Sequence, residues 1–359
     1  MKIILVEHSH VLGGVERHVL QLLRGLNAAG HVACFAGPGD SWLGEQCRSQ
    51  GIELMHLPMR GMFDPYSAWR LARFARRWRA DLLHGHTQRG ARYAGWSARR
   101  SERPAVATAH STHSYRYFDG VQRLLCVSDA VRQALIAHGY PGERTRLAYP
   151  GFDDPATSAP PRPEARRRLG LDDRDVVLLM VARLIHDKGH DVAIEAVKRL
   201  ARPDIKLLLA GDDGNACGEQ LRRQIESSGL AAQVRFLGQR DDVGALLSAA
   251  DIVLGPSRRE ALSLSLVEAA AMQVPVIASR IGGIPEAVAE NGSGLLVPAE
   301  DSHALADAIA TLADDPPRRA AMGGVGRALY LERFSTRAML ESVLAVYAEV
   351  LDARPSSAR

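Results

Sequence analysis

Two cations follow a buried apolar run in the second half of the chain. The run 176–182 ends just before Arg183, and Lys188 lies five residues further on, where a helix should begin. A lysine at a helix N-terminus opposes the helix dipole, so a purely structural sequence would prefer Asp, Ser or Thr there. A bound diphosphate would explain both cations, because they would neutralise the leaving phosphate. The alternative is two solvated cations, with Asp187 as the helix cap.

Two carboxylates, Glu260 and Glu268, lie between the next apolar runs and are separated by seven residues. Carboxylates at a strand end, near a cationic pair, suit the hydroxyl groups of a sugar and a ribose. Ser265 and Glu268 also have capping-box spacing, so Glu268 has a structural alternative at the start of a helix. Glu260 has no such alternative, because it lies in a strand-to-helix loop.

Gly13 and Gly14 occupy the first strand-to-helix junction of the chain. Glycine lets the backbone approach a ligand closely, and the free N–H groups of a helix start favour anions or polar oxygens. The spacing is neither a dinucleotide fingerprint nor a P-loop. The alternative is a tight turn that binds no ligand.

Histidines raise the question of a metal. His84 and His86 are expected on a strand, pointing to opposite faces, and His110 and His113 follow a later run. A catalytic zinc needs about three converging ligands. No Asp-x-Asp lies near the cationic pair to chelate a metal on a diphosphate. We therefore expect no metal and no cofactor.

The chain of 359 residues is long enough for two domains. Short apolar runs alternate with amphipathic helical stretches, which predicts parallel sheets covered on both faces. A Pro-rich stretch interrupts this alternation. We predict an N-terminal domain over 1–153, a linker over 154–170, a C-terminal domain over 171–335, and a C-terminal helix and tail over 336–359 that crosses back to the N-terminal domain. Ligands should lie beyond the carboxyl ends of the strands.

Charge is divided unevenly along the chain. Residues 1–150 carry 20 basic and 11 acidic side chains, a net of +9, whereas the whole chain has a net of +4. A basic half suits an anionic partner such as a lipid surface, a phosphorylated glycan or nucleic acid. The stretch 64–81 predicts an amphipathic helix in which Trp69, Phe74 and Trp78 lie among arginines, and it could touch an anionic membrane. The alternative is a helix that only packs on its sheet.

No apolar run reaches the roughly 18 residues of a membrane span. The four cysteines have neither C-x-x-C nor metal-ligand spacing, which indicates a reduced cytoplasmic protein with structural thiols. Peripheral association with the inner face of the membrane is compatible with this interpretation. No nucleic-acid partner is expected.

With these features, the sequence resembles the family 4 retaining glycosyltransferases of GT-B fold, group 1 type, over almost its whole length. The resemblance implies two facing Rossmann-like domains with a cleft between them. The matching segments are Gly13-Gly14-Val15-Glu16, His84-Gly85-His86, Thr108-Ala109-His110, Val127-Ser128, Gly151-Phe152-Asp153, Arg183, Lys188-Gly189, Leu209-Ala210-Gly211, Phe236-Leu237-Gly238, Asp251, Pro256-Ser257, Glu260 to Glu268, Pro275-Val276 and Gly282 to Glu286.

The resemblance also implies roles for these residues. Arg183 and Lys188 would hold the donor diphosphate, Glu260 would face the donor sugar, and Glu268 would face the ribose. His110 would lie near the sugar and the acceptor. The remaining donor-site residues implied are Gly13, Gly14, Gly211, Ala261, Leu262, Ser263 and Leu264.

The chain departs from the family at two places. Ala261-Leu262-Ser263 stands where the family often has Gly-Phe-Gly, which puts the pocket shape in doubt. Pro150 stands where the family often has Asn, which puts the hinge in doubt. The expected reaction moves a hexose or N-acetylhexosamine from a UDP- or GDP-sugar to a glycan or lipid-linked acceptor of the cell surface. The alternatives are a sugar-nucleotide epimerase and an inactive nucleotide-sugar-binding subunit.

Overall fold

Two parallel β-sheets organise the chain, and each lies at the centre of one unit. The computed structural model describes residues 1–113 and 115–353. The first unit comprises Met1–Asp153 and the chain from Arg333 onward, and the second comprises Asp154–Glu332. The last residues of the predicted C-terminal tail, 354–359, lie outside the described residues.

The sheet of the first unit has seven strands. They are β1 (Lys2–Val6), β2 (Val32–Gly37), β3 (Leu54–His56), β4 (Leu82–His86), β5 (Ala105–Ala109), β6 (Arg123–Cys126) and β7 (Thr145–Leu147). Their order is β3-β2-β1-β4-β5-β6-β7, and every neighbouring pair is parallel. The helices between them are α1 (Gly14–Ala28), α2 (Trp42–Ser49), α3 (Pro65–Trp78), α4 (Thr87–Ser101) and α5 (Asp129–Ala137).

The second unit repeats this architecture with six parallel strands. They are β8 (Val176–Val181), β9 (Ile205–Ala210), β10 (Val234–Gly238), β11 (Ile252–Gly255), β12 (Val276–Ser279) and β13 (Gly294–Val297), in the order β10-β9-β8-β11-β12-β13. The helices are α6 (Arg162–Arg168), α7 (His190–Leu200), α8 (Ala216–Ser227), α9 (Val243–Ala249), α10 (Leu264–Ala271), α11 (Ile284–Ala287), α12 (Ser302–Ala313) and α13 (Pro316–Leu329). The predicted α/β class with two parallel-sheet, Rossmann-like domains is confirmed.

Burial explains why the strands read as continuous apolar runs. In β1, Ile3 to Val6 are fully buried, and in β8 the same holds for Val177 to Leu179. A parallel sheet covered by helices on both faces leaves no polar side to its central strands. The period-2 pattern of a half-exposed strand is therefore absent here.

The predicted linker, 154–170, folds within the second unit. It contains a 3₁₀ turn over Pro155–Thr157 and the helix α6. Arg166 of α6 is buried and donates hydrogen bonds to the carbonyl oxygens of Asp172 and Asp175, at 2.6 and 2.7 Å. The chain passes between the units at Asp153–Asp154 and again at Glu332–Arg333.

The last helix, α14 (Thr336–Asp352), belongs to the first unit. Its buried residues follow a helical period and join the core that lies against α1 and β1. They are Met339, Val343, Val346, Tyr347 and Val350. Phe152 and Ser335 pair at a β-bridge, so the segment that leaves this unit lies beside the segment that returns to it.

A buried polar contact fixes α14 on the sheet. The Tyr347 hydroxyl lies 2.6 Å from Nδ1 of His84, and Nε2 of His84 lies 2.7 Å from the Thr108 hydroxyl. Burial, with a smaller contribution from His18, lowers the pKa of His84 to about 3, so the imidazole is neutral. A neutral ring can donate from one nitrogen and accept at the other, which matches two hydroxyl partners.

We expect Tyr347→Phe to destabilise the first unit by about 1–3 kcal/mol, because it leaves a buried imidazole nitrogen of His84 without a partner. Thermal unfolding and hydrogen exchange of the α14 amides would measure the effect. Tyr66→Phe is the matched control, since Tyr66 is 61% exposed. Equal stability of the two variants would show that the Tyr347–His84 contact contributes nothing.

His190 is a second buried histidine, at the start of α7. It is 1% exposed, and neither ring nitrogen has a hydrogen-bond partner among the described residues. Burial lowers the pKa of His190 to about 4. The unfolded chain therefore binds more protons at this position than the folded chain at every pH between the two pKa values, and folding stability falls as the pH falls through that range.

We expect the second unit to lose roughly 3 kcal/mol through this histidine as the pH falls from about 6.5 to about 4. His190→Leu removes the titrating group, so the thermal midpoint of the variant should exceed that of the parent by more at pH ~5 than at pH ~8. A series of unfolding curves across this range checks it, with exposed His303→Gln as the control. A constant difference between variant and parent would contradict the assignment.

Candidate active site

The candidate site of the second unit lies at the carboxyl edge of three neighbouring strands. The strands β8, β11 and β12 are adjacent in the sheet, so the loops that follow them meet at one edge. These loops span 182–189, 256–263 and 280–283. The structure thus brings the predicted cationic pair and the first predicted carboxylate to the same edge, where ligands of parallel sheets bind.

Two glycines let these loops touch through their backbones. A Cβ on Gly189 would lie 1.9 Å from the carbonyl oxygen of Pro256, and a Cβ on Gly282 would lie 1.9 Å from that of Glu260. Both glycines also have positive φ, 70° and 49°. No other residue fits such contacts without displacing a loop. The loop 256–263 is therefore held between its two neighbours.

Arg258 fastens the same loop with hydrogen bonds. Its guanidinium donates to both carboxylate oxygens of Asp191, at 2.8 and 2.7 Å, and to the carbonyl of His186 at 2.7 Å. Its backbone N–H donates to the carbonyl of Asp187 at 2.7 Å. Burial would raise the pKa of Asp191, but the hydrogen bonds and charge of Arg258 outweigh it and lower that pKa. Sequence reasoning missed Arg258, because its partners lie about 70 residues away.

Lys188 and Glu260 form an ion pair across the two loops. Both side chains are largely buried, with 21% and 13% of their surface exposed. The sequence predicted both residues at this edge but did not predict that they contact each other. Arg183 lies exposed just beyond β8, and no ion pair involves it among the described residues. It is free to turn toward an anion.

The structural alternatives for the two predicted helix caps are wrong. The helix α7 begins after Gly189, so Asp187 does not cap it, and Lys188 ends a short 3₁₀ turn that precedes it. The helix α10 begins after Ser263, which places Ser265 inside the helix. Ser265 and Glu268 therefore form no capping box. Glu268 lies half-buried on the second turn of α10.

Ser263 carries backbone strain at the start of α10. Its φ of 80° lies in the region that favours glycine. The family that the sequence resembles often has glycine at this position. In this chain a serine adopts the positive φ that glycine adopts most readily. Ser263 Oγ lies 3.3 Å from Ser265 Oγ. Of the other residues in this segment, Leu262 is buried, whereas Ala261 and Leu264 are half-buried.

Gly211 also lies at the carboxyl edge, after β9. Its N–H donates to the carbonyl of Gly238 at 2.8 Å, and a Cβ would lie 2.1 Å from the carbonyl oxygen of Ala182. The glycine is thus explained by the close approach of the loop that follows β8.

Gly13 and Gly14 lie at the corresponding edge of the first unit. Gly13 precedes α1 with extended backbone, φ −154°, and no side chain caps the helix. Burial raises the pKa of Glu16, and hydrogen bonds from the backbone N–H groups of Glu16 and Gly13 act in the opposite direction, so these amides already face a carboxylate. An oxygen ligand at this helix start stays a prediction. Gly13 needs no special φ, although a Cβ would lie 3.0 Å from a carboxylate oxygen of Glu16.

The prediction that His84 and His86 point to opposite faces is wrong. Residues two apart on a strand share a face, and the two rings stack with centroids 4.3 Å apart. His110, after β5, lies with Nε2 3.2 Å from Nδ1 of His86. Burial lowers the pKa of both His86 and His110 well below the usual range. His113 is exposed and lies beside Thr112.

Comparison with known proteins places both units in one family. Residues 161–328 match the family model described as glycosyl transferases group 1, and residues 12–154 match the model for glycosyltransferase family 4. The D-inositol 3-phosphate glycosyltransferase of Corynebacterium efficiens is 32% identical over 312 residues, which cover 76% of this chain and 72% of that protein.

Two further similarities extend over nearly the whole chain. The lipopolysaccharide core biosynthesis mannosyltransferase LpsB of Rhizobium meliloti is 28% identical, with 95% of each protein covered. The crystal structure of Anabaena HepE in complex with UDP superposes with a TM-score of 0.87 at 23% identity, covering 97% of this chain and all of that one. The fold is that of the GT-B glycosyltransferases, and the chain belongs to glycosyltransferase family 4, group 1.

Proposed function

We propose that this chain is a retaining transferase that moves a hexose or N-acetylhexosamine from a UDP- or GDP-sugar to a glycan or lipid-linked acceptor. The observation that carries the proposal is the Lys188–Glu260 pair, held at the carboxyl edge by two glycine contacts and by Arg258. LpsB supports a role in lipopolysaccharide or other cell-surface polysaccharide assembly. HepE supports the donor class, since it has been crystallised with UDP-glucose.

The chemistry assigns a different task to each charged group. Sugar transfer builds negative charge on the departing diphosphate, and the Lys188 ammonium and the Arg183 guanidinium would meet that charge. Glu260 would accept hydrogen bonds from hydroxyls of the donor sugar while it orients Lys188 through the ion pair. Glu268 would bind the ribose, which does not change in the reaction. The amides at the start of α10 would supply further donors to the sugar.

On this proposal the first unit supplies the acceptor side of the reaction. Gly13 and Gly14 would present amides to a phosphate or sugar oxygen, and His110 would lie near the transferred sugar. Because Nε2 of His110 faces His86, only Nδ1 or the backbone of His110 is left for a substrate.

We propose that the donor site works without a divalent metal, since cationic side chains take its place on the diphosphate. Turnover of radiolabelled UDP- and GDP-sugars with a lipid-linked acceptor mixture, with and without EDTA, tests the whole assignment. Transfer that survives EDTA and keeps the anomeric configuration of the donor supports it. Epimerised donor without transfer, donor binding without turnover, or activity that only Mg²⁺ or Mn²⁺ restores would each overturn it.

Variants of the charged residues test the division of tasks. Lys188→Ala and Glu260→Gln should each lower kcat/KM by about 10–100-fold, partly through kcat, because a charged hydrogen bond contributes roughly 1.5–3 kcal/mol. Since the two side chains form one pair, the double variant should lose less than the product of the single losses. Glu268→Gln should raise the donor KM and leave kcat nearly unchanged.

Exposed residues of the same unit provide matched controls for this series, namely Lys198→Ala and Glu226→Gln. Donor kinetics of all variants beside the parent, with thermal midpoints as a check of folding, complete the experiment. Parental kinetics in folded Lys188→Ala and Glu260→Gln proteins would place the donor site elsewhere.

We further propose that the first unit docks on the inner face of the membrane through α3. No helix among the described residues has the length and hydropathy to cross a membrane. Tyr66 and Trp69 are 61% and 46% exposed and stack with centroids 6.2 Å apart. Arg70 and Arg73 lie over their rings, at 5.8 and 5.6 Å. Exposed aromatic rings among arginines suit an anionic lipid surface.

Binding to anionic vesicles should therefore exceed binding to neutral ones and weaken as salt is added. Trp69→Ala should reduce it, because the ring is the largest exposed apolar group of the patch. Co-sedimentation with vesicles measures both effects, and exposed Val325→Ala of the second unit is the control. Equal partitioning to both vesicle types at low salt would mean that the basic surface is only solvated.

A further inference from the structure

Two buried histidines and one half-buried histidine, from three different parts of the fold, converge in the first unit. His18 comes from the second turn of α1, His86 from the end of β4, and His110 from the residue after β5. One nitrogen from each ring can be chosen so that all three lie within 4.8 Å of one another. The ring centroids form a nearly equilateral triangle, with sides of 5.5, 5.2 and 5.5 Å.

These distances match the spacing around a single zinc ion. With Zn–N bonds of about 2.0–2.1 Å, a tetrahedral ion holds ligand nitrogens roughly 3.3 Å apart and imidazole centroids roughly 5 Å apart. Nδ1 of His86 and Nε2 of His110 already lie 3.2 Å apart. A nitrogen of His18 completes a three-nitrogen set, within 4.8 Å of a nitrogen from each of the other two rings.

The rings of the cluster are uncharged. His18 and His86 are 5% and 0% exposed, and burial lowers the pKa of all three rings, so each presents a neutral imidazole. Metal ligation requires this protonation state. Two buried carboxyl groups lie on the neighbouring segments, Glu7 after β1 and Glu16 in the first turn of α1, and burial raises the pKa of Glu16. Glu7 approaches the hydroxyl of Thr87, the residue next to His86, at 3.5 Å.

Two ring nitrogens of the histidine cluster have no hydrogen-bond partner among the described residues. Nδ1 of His18 and Nε2 of His86 are buried and have no partner among residues 1–113 and 115–353. A buried polar nitrogen without a partner costs about 1–3 kcal/mol. A bound cation would accept the lone pair of Nδ1 of His18. Nε2 of His86 would stay without a partner, because Nδ1 is the nitrogen of that ring that faces His110. His110 keeps partial exposure, which leaves a side from which an ion and a water molecule can reach the cluster.

We propose that His18, His86 and His110 bind one zinc ion, with the fourth position open to water or to an oxygen of the acceptor. The site lies in the first unit and takes an ion that prefers nitrogen ligands. It shares His110 with the proposed function, but it takes no part in binding the diphosphate, which the cations of the second unit would meet without a metal.

Direct metal binding tests the site without using activity. The full chain, purified without a polyhistidine tag and stripped with a chelator, is titrated with Zn²⁺ alone and with Co²⁺ alone. We expect one ion per chain, the visible absorption of tetrahedral Co²⁺, and X-ray absorption at the zinc edge that shows about three imidazole ligands. These measurements use the parent protein, so they do not depend on whether a variant folds. Absence of saturable zinc binding would overturn the proposal.

Variants then locate the ion. His18→Gln and His86→Gln should each weaken Co²⁺ affinity by at least about 10-fold, since even loss of an outer contact costs that much at metal sites. Zinc should raise the thermal midpoint of the parent and of the control, exposed His303→Gln, but not that of the two variants. His110 is left intact in this series because it is also assigned to the sugar. Equal affinity in the parent and in folded His18→Gln would exclude the site.

Discussion

The candidate site of the second unit depends on direct backbone contact between neighbouring loops. At Gly189 and Gly282 a single added methyl group would lie 1.9 Å from a carbonyl oxygen of the loop between them. That closeness determines where the loop after β11 can run, and therefore where Glu260 projects. Arg258 then ties the same loop to the start of α7 through Asp191. These backbone contacts and hydrogen bonds, and not the ion pair itself, determine the position of the Glu260 side chain.

Because the scaffold brings Lys188 and Glu260 together, the two residues are one electrostatic unit. A largely buried lysine without a counter-ion would be costly, whereas the pair keeps its charge at low cost until an anion arrives. The ammonium has three donors, so it can keep the carboxylate and still contact a phosphate oxygen. Ser263, strained at φ 80°, lies next in the same loop. Strain at such a position is typical of sites where geometry is held by its surroundings.

The sequence predicted the alternation of strands and helices, and with it the edge at which Lys188 and Glu260 lie, because both follow from buried apolar runs and from the parallel-sheet rule. It did not predict contacts made over long sequence separations. Arg258 with Asp191, and Tyr347 with His84, depend on which strands become neighbours. The start of α10 was missed for a different reason, since a serine at positive φ leaves no signature in composition. The prediction that His84 and His86 point to opposite faces was wrong for another reason. Side chains two residues apart on a strand lie on the same face, so the sequence already contained the correct answer.

The two units also differ in the chemistry that their edges can support. The edge of the second unit offers ammonium, guanidinium and amide donors beside the carboxylate of Glu260, and these donors bind oxygen anions. The edge of the first unit offers neutral imidazoles whose burial removes water as a competitor for their lone pairs. Imidazole nitrogen selects zinc over magnesium or manganese, which prefer oxygen ligands. On the proposed function, a zinc ion bound by the histidines would therefore not substitute for Lys188 and Arg183 at the diphosphate, and sensitivity to zinc would not imply a metal-dependent donor step.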